Sequence, residues 1–261
     1  RLTAPVPHYF CRMDIMSTST APLEHHRGLR PRAALVLHAS LTGLVMLAVH
    51  LAVFGLGPEA LPAFALFGAG SAFLWLRLPA DYPHTRFGAC NAVTLLRAGL
   101  AACLLTPLLT PSPAGGSLEE WSIVLLALAA LSLDGIDGLL ARRSGLASAY
   151  GARFDMEVDA GLSLILTLHL LADNTLGPYV ILLGIMRYVF IAASVPFPWL
   201  AAPLPERFGR KVVCVVQVAA LIALQVPVLP VALAQWIAFG AVAALLWSFG
   251  RDTLWLWRNK T

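Results

Sequence analysis

Four aspartates, arranged in two pairs, interrupt sequence that is otherwise typical of helices embedded in lipid. Asp134 and Asp137 are three residues apart, and Asp155 and Asp159 are four apart, so each pair projects from one face of a helix. An unpaired charge inside a membrane helix costs about 2.5 to 3.5 kcal/mol. The four carboxylates therefore require partners of opposite charge, and divalent cations would supply them.

The two pairs are matched across a turn near residue 147. A helical hairpin folded there brings Asp134 level with Asp159, and Asp137 level with Asp155. Carboxylate oxygens are the ligands that Mg²⁺ and Mn²⁺ prefer. We expect these four aspartates to be the metal ligands of a site for two such cations.

The residues between the pairs suit a bulky, anionic ligand. Gly138 and Ala141 leave one helix face nearly bare, and Gly151 does the same on the returning helix, so a ligand can approach the backbone. Arg142 adds fixed positive charge suited to phosphate oxygens. Glu157 lies on the other side of its helix from the aspartates, and we do not expect it to be a ligand.

This stretch resembles the signature of the CDP-alcohol phosphotransferases (CDP-alcohol phosphatidyltransferases) at all eight fixed positions, which read Asp134-x2-Asp137-Gly138-x2-Ala141-Arg142-x8-Gly151-x3-Asp155-x3-Asp159. Upstream, Asn91, Thr94 and Arg97 resemble the N-x-x-T-x-x-R opening of the family's first core helix. The similarity covers roughly residues 89 to 255.

The resemblance implies an enzyme that moves a phosphatidyl group from a CDP-linked lipid, expected to be CDP-diacylglycerol, to an alcohol hydroxyl and releases CMP. It implies that Asp159 is shared between metal binding and proton removal, with the other three aspartates as ligands. It also implies a homodimer. The residues expected to bind CDP are Asn91, Thr94, Gly138, Ala141, Arg142 and Gly151.

The identity of the acceptor alcohol is left open by one departure from a common subfamily pattern. Many similar phosphatidylglycerophosphate synthases have Lys after the fourth aspartate, whereas this chain has Ala160. Glycerol 3-phosphate is the leading acceptor if other basic residues supply the charge. The candidates for acceptor binding are Arg153, Arg187, Arg207, Arg210 and Lys211.

Several alternatives remain open at this point. The acceptor could be a non-phosphorylated alcohol such as serine, inositol or choline, or a CDP-alcohol could donate to a lipid acceptor. A divalent-cation transporter would explain the aspartates but not the glycines and Arg142 at their fixed offsets. Arg97 and Arg187 lie within apolar helices, where each would either pair with an aspartate or contact substrate.

Composition places the chain among polytopic helical membrane proteins and gives no indication of nucleic-acid binding. Of its 261 residues 59% are hydrophobic and 12% are charged, and the mean hydropathy is +0.77. We expect an all-α bundle in which two accessory transmembrane helices (33–79) follow a polar lead (1–32) and precede a six-helix catalytic core (80–261). The eight spans expected are 33–55, 60–78, 89–109, 120–141, 152–172, 177–195, 211–227 and 231–249.

Charge in the connections predicts the orientation of the bundle. The connections at 56–59, 110–119, 173–176 and 228–230 contain no Lys or Arg, and basic residues collect at the opposite ends of the spans. By the positive-inside rule both termini and the mouth of the aspartate site face the cytoplasm, in the cell inner membrane.

Overall fold

The computed structural model describes residues 30–78, 87–110, 118–144, 148–205 and 208–259, and for residues 137–144 and 149 only the backbone. Within these ranges the regular structure is entirely helical. The helices are α1 (Pro31–Val49), α2 (Leu61–Arg77), α3 (Ala89–Cys103), α4 (Leu105–Leu109), α5 (Leu118–Ser144), α6 (Ala149–Asp173), α7 (Ile181–Ala193), α8 (Phe208–Ala223) and α9 (Val231–Arg258).

The helices agree with the predicted spans when α3 and α4 are taken together as one span, which is interrupted at Leu104. A π-helical turn, His50–Phe54, extends α1. The stretches long and apolar enough to cross a membrane, by length and composition, are Pro31–Phe54, Pro58–Arg77, Ala89–Leu109 and Val231–Arg258. The protein is therefore an all-α membrane bundle, as predicted.

Helix α3 lies at the centre of the part of the bundle that carries the aspartates. It packs against α1, α2, α5 and α6. Small side chains allow these close approaches, because Gly99, Ala101 and Ala102 on α3 and Ala127 and Ala130 on α5 are all buried. Side chains in the middle of α3 are consequently enclosed by its neighbours.

The two accessory helices are held against this central helix. A Cβ at Gly99 would lie only 2.4 Å from Cγ2 of Thr42, so α1 approaches α3 where α3 has no side chain. Farther along, the buried ring of His50 is within 3.0 Å of Oγ1 of Thr106. Tyr150, in the first turn of α6, bonds to the carbonyl of Leu74 in α2. The accessory helices thus touch both α3 and the helix that carries Asp155 and Asp159.

The remaining helices form a second apolar core between α5, α6, α8 and α9. Amide side chains join them across the interfaces. Gln217 donates to the carbonyl of Leu183, and Gln225 donates to that of Leu166 at 2.8 Å. Hydrogen bonds of this kind are common between helices in apolar surroundings. They fix the position of α8 relative to α6 and α7.

Candidate active site

Three of the four aspartates come together between α5 and α6. Asp134, Asp155 and Asp159 each offer a carboxylate oxygen, and these oxygens lie within 4.8 Å of one another. Their side chains are 33%, 35% and 42% exposed. Asp137 is on the following turn of α5, and its side chain lies outside the described residues. The predicted meeting of the two aspartate pairs is therefore confirmed for Asp134, Asp155 and Asp159.

Arg97 of α3 is bound to all three of these carboxylates. Its Nη2 lies 3.0 Å from Oδ1 of Asp134, and the guanidinium also donates hydrogen bonds to Oδ1 of Asp155 and of Asp159. Nε of Arg97 also donates a hydrogen bond to the backbone carbonyl of Ala130, at 3.2 Å. Since its side chain is only 1% exposed, Arg97 closes the buried side of the cluster.

Local sequence explains how these side chains reach one point. The four-residue spacing of Asp155 and Asp159 places both on one face of α6. That helix begins at a defined residue, because Oγ of Ser148 accepts a hydrogen bond from the backbone N–H of Gly151 at 3.0 Å. The absence of bulk at Ala130 then lets α5 pass close to Arg97.

The chemistry of this cluster fits a divalent cation. All three side chains are carboxylates, the ligands preferred by Mg²⁺ and Mn²⁺. Three carboxylates also carry more negative charge than one guanidinium neutralises. Part of each carboxyl group remains exposed on the side away from the buried arginine, so an ion has access. Asp134, Asp155 and Asp159 could therefore hold a metal ion.

Two residues expected at the nucleotide-binding face meet at the start of α6. A Cβ at Gly151 would lie 2.6 Å from Oδ1 of Asn91, so the bare backbone of Gly151 faces α3. Asn91 and Thr94 are 2% and 3% exposed. Asn91 donates to the carbonyl of Phe87, just before α3, and Thr94 donates to that of Cys90 in α3. The side chains of the other expected nucleotide-binding residues, Gly138, Ala141 and Arg142, lie outside the described part of the chain.

The basic residues expected to bind the acceptor are divided among several positions. Arg187 pairs with Glu157, whose side chain is 56% exposed. Arg210 pairs with Asp252, with 2.7 Å between Nε and Oδ2. Arg153 and Lys211 are exposed, and Arg207 is outside the described residues.

Asp252 is the residue near this site that the sequence analysis missed. It is 4% exposed, close to the end of α9, and Arg251 lies 3.7 Å from its other oxygen. An isolated acidic residue in an apolar helix was the available signal. Its partner could not be assigned, because Arg210 is 42 residues away in sequence.

The family model of the CDP-alcohol phosphatidyltransferases matches residues 87–247, which is more than half of the chain. The chain belongs to the CDP-alcohol phosphatidyltransferase family. The predicted membership is confirmed, and the matched segment contains Arg97 and all four aspartates. The accessory helices α1 and α2 lie before it. Comparisons with curated proteins and with solved structures found no match.

Membership gives this CDP-alcohol phosphatidyltransferase a CDP-alcohol donor, an alcohol acceptor and a place in phospholipid biosynthesis as an integral membrane transferase.

A cavity of about 590 Å³ lies at the other end of the bundle from the aspartate cluster, where Glu119, Glu120 and Asp173 contribute to its lining. No Lys or Arg is among its described lining residues, so it is poorly suited to a diphosphate. The aspartate cluster is accordingly the candidate active site of this family member.

Proposed function

We propose that this protein transfers a phosphatidyl group from CDP-diacylglycerol to the hydroxyl group of a small alcohol and releases CMP. The observation that carries the proposal is the meeting of Asp134, Asp155 and Asp159, in a chain whose family uses CDP-alcohols. An oxygen-only cluster with net negative charge is suited to cations that bind a diphosphate.

The four aspartates, including Asp137, would hold two divalent cations, either Mg²⁺ or Mn²⁺. When bound, such ions polarise the phosphoryl group and stabilise the departing CMP. The diphosphate of the donor would lie against the cluster. Support for the cytidine position comes from the meeting of Asn91 with Gly151, and the remaining residues of this face would be Thr94, Gly138, Ala141 and Arg142.

Asp159 is the proposed general base. It would take the proton from the acceptor hydroxyl while that oxygen attacks the phosphorus bonded to the diacylglycerol oxygen. The new bond is a phosphodiester, and the bond that breaks joins this phosphorus to the oxygen of CMP. Asp159 is the most exposed of the three aspartates in the cluster, which is appropriate for a group that meets substrate. General base catalysis contributes about 10² to 10⁴-fold to a rate.

Glycerol 3-phosphate is the acceptor that we favour. Arg187 lies on α7 and Arg210 on α8, and both helices pack against α6, which carries the proposed base Asp159. Two guanidinium groups in this region suit the phosphate of an acceptor, and Arg153, Arg207 and Lys211 are further candidates. Since Ala160 is buried, it would not contact this phosphate. Serine, inositol or choline is the alternative acceptor, and a CDP-alcohol donor with a lipid acceptor is the alternative reaction.

We place the protein in the cell inner membrane, with the mouth of the site on the cytoplasmic side, where nucleotide-activated substrates are available. A homodimer is the proposed assembly. A divalent-cation transporter is disfavoured, because ion transport would not explain the glycines and Arg142 at their fixed offsets or the match to a transferase family.

The test is to incubate the purified protein with radiolabelled CDP-diacylglycerol and a panel of acceptors, with and without Mg²⁺. We expect CMP and a phosphatidyl product to form with glycerol 3-phosphate, and only when the cation is present. Product with serine, inositol or choline instead would reassign the acceptor. Absence of CMP with every acceptor, alongside Mn²⁺ uptake into proteoliposomes without nucleotide, would contradict the proposed reaction.

A further inference from the structure

We infer that Arg97 is a fixed counter-cation of the aspartate cluster, which stabilises the metal-free protein and lowers the affinity of the cluster for divalent cations. The inference rests on the cation binding proposed above and assigns a function to a residue outside the eight-position signature. Arg97 is a positioning residue in this assignment, because it acts through Asp134, Asp155 and Asp159.

The first step of the argument is that Arg97 is held in place. Its Nε donates to the carbonyl of Ala130 at 3.2 Å, while its two terminal nitrogens contact the three aspartates. Arginine stays protonated in proteins, so these contacts involve a permanent positive charge. A side chain that is 1% exposed has no water with which to replace its partners.

The second step concerns the protein without cations. Three carboxylates from two helices repel one another, and burial strengthens that repulsion. Arg97 of α3 contacts a carboxylate on α5 and two on α6, so its attraction joins all three helices. Removal of one partner of a buried ion pair is strongly destabilising, because the other charge is left uncompensated. The metal-free protein therefore depends on Arg97.

The third step concerns cation binding. Three carboxylates and one guanidinium leave two negative charges on the described cluster, whereas the same cluster without Arg97 would carry three. A cation that enters from the exposed side also meets a like charge behind the ligands. In addition, Oδ1 of each of the three aspartates in the cluster already contacts Arg97. Each of these effects weakens cation binding.

Two other functions for Arg97 make different predictions. A purely structural arginine would stabilise the protein, but its loss would not strengthen cation binding. An arginine that served only to contact substrate would matter little in the absence of substrate. Increased cation affinity combined with decreased metal-free stability is therefore specific to a counter-cation.

The experiment uses the full chain in detergent without donor lipid. Mn²⁺ is titrated into the wild type and into the R97Q, R97K and R251Q variants, and free Mn²⁺ is measured by electron paramagnetic resonance. Thermal unfolding is followed with and without Mn²⁺. R251Q is the matched control, because it also removes a guanidinium paired with a carboxylate, namely that of Asp252 outside the cluster.

We expect R97Q to bind Mn²⁺ about tenfold more tightly than the wild type. Without Mn²⁺ it should unfold at a lower temperature, and Mn²⁺ should raise its midpoint further than that of the wild type, because stabilisation by a ligand increases with the logarithm of its affinity. R97K should bind Mn²⁺ with intermediate affinity, since an ammonium contacts fewer of the carboxylates. R251Q should bind Mn²⁺ as the wild type does.

Equal or weaker Mn²⁺ binding by R97Q would overturn the inference while leaving the proposed reaction intact. If R97Q folds only in the presence of Mn²⁺, that dependence supports the inference. If it folds under neither condition, R97K decides, and unchanged or weaker Mn²⁺ binding by R97K overturns the inference. A wild-type protein that binds no Mn²⁺ would overturn both this inference and the proposed cation site.

Discussion

Tyr150 donates a hydrogen bond from its hydroxyl group to the backbone carbonyl of Leu74, with 2.7 Å between the two oxygens. This contact joins the accessory helix α2, which lies before the segment matched by the family model, to the first turn of the helix that carries Asp155 and Asp159. The accessory helices therefore help to position the helix that carries two of the proposed metal ligands.

We predict that Tyr150→Phe lowers the free energy of unfolding by about 1 kcal/mol, the usual net value of one hydrogen bond. Transfer activity should fall several-fold, because α6 is less well fixed. The matched control is Tyr179→Phe, since the buried hydroxyl of Tyr179 has no hydrogen-bond partner among the residues that the structure describes. Thermal unfolding and CMP release measure both effects. Equal losses in the two variants would mean that the contact with Leu74 has no special function.

A second prediction concerns the contact between α1 and α3. Gly99→Ala places a Cβ 2.4 Å from Cγ2 of Thr42, so it should cost about 1 to 3 kcal/mol. Thr42→Ala removes the opposing methyl group and should restore much of the loss in the double variant. Gly240→Ala is the control, because nothing lies within 4 Å of a Cβ there and alanine favours the helix. Additive effects of the two substitutions would argue against the close contact.

The proposed base gives a third prediction. Asp159→Asn should retain binding of the CDP-linked lipid, because the amide keeps one ligand oxygen, but should release CMP about 10² to 10⁴-fold more slowly. Asp173→Asn, at the other end of α6, should leave turnover unchanged. The measurements are equilibrium binding of labelled donor and the rate of CMP release. Wild-type turnover in Asp159→Asn would refute the assignment.

A fourth prediction tests the acceptor region through the thiol of Cys214. This residue is exposed, whereas Cys90 and Cys103 are buried, so in a Cys11→Ser background a maleimide should react mainly at Cys214. We expect glycerol 3-phosphate to slow this alkylation several-fold, and we expect glycerol to have little effect, because Arg210, one turn earlier on α8, suits a phosphate. Protection by serine or inositol alone would favour the alternative acceptors.

The fifth prediction tests orientation in the membrane. Single cysteines at Thr175 and Asn259, introduced into a chain without other exposed cysteines, report on opposite ends of the bundle. Both positions are exposed. An impermeant maleimide added to intact cells should label the cysteine at 175, and should label that at 259 only after permeabilisation. The reverse pattern would place the mouth of the site on the outer side.

Sequence patterns were enough to predict the helices, the membrane class, the family and three aspartates that meet in the structure. Hydrophobic runs report burial in lipid directly, and spacings of three and four residues report which side chains share a helix face. Asp134, Asp155 and Asp159 were found in this way, because their relationship depends on two adjacent helices and the turn between them.

The assembled helices were needed to show that Arg97 pairs with three aspartates and that Asp252 pairs with Arg210. They also show that Thr42 packs against α3 where Gly99 has no side chain. Each of these contacts joins helices that are distant in sequence, and each depends on the depth and rotation at which two helices pack. Helix periodicity places a side chain on a face of its own helix, but it carries no information on which neighbour that face meets. Small residues at the crossing points set that geometry, and their effect appears only when the helices are assembled.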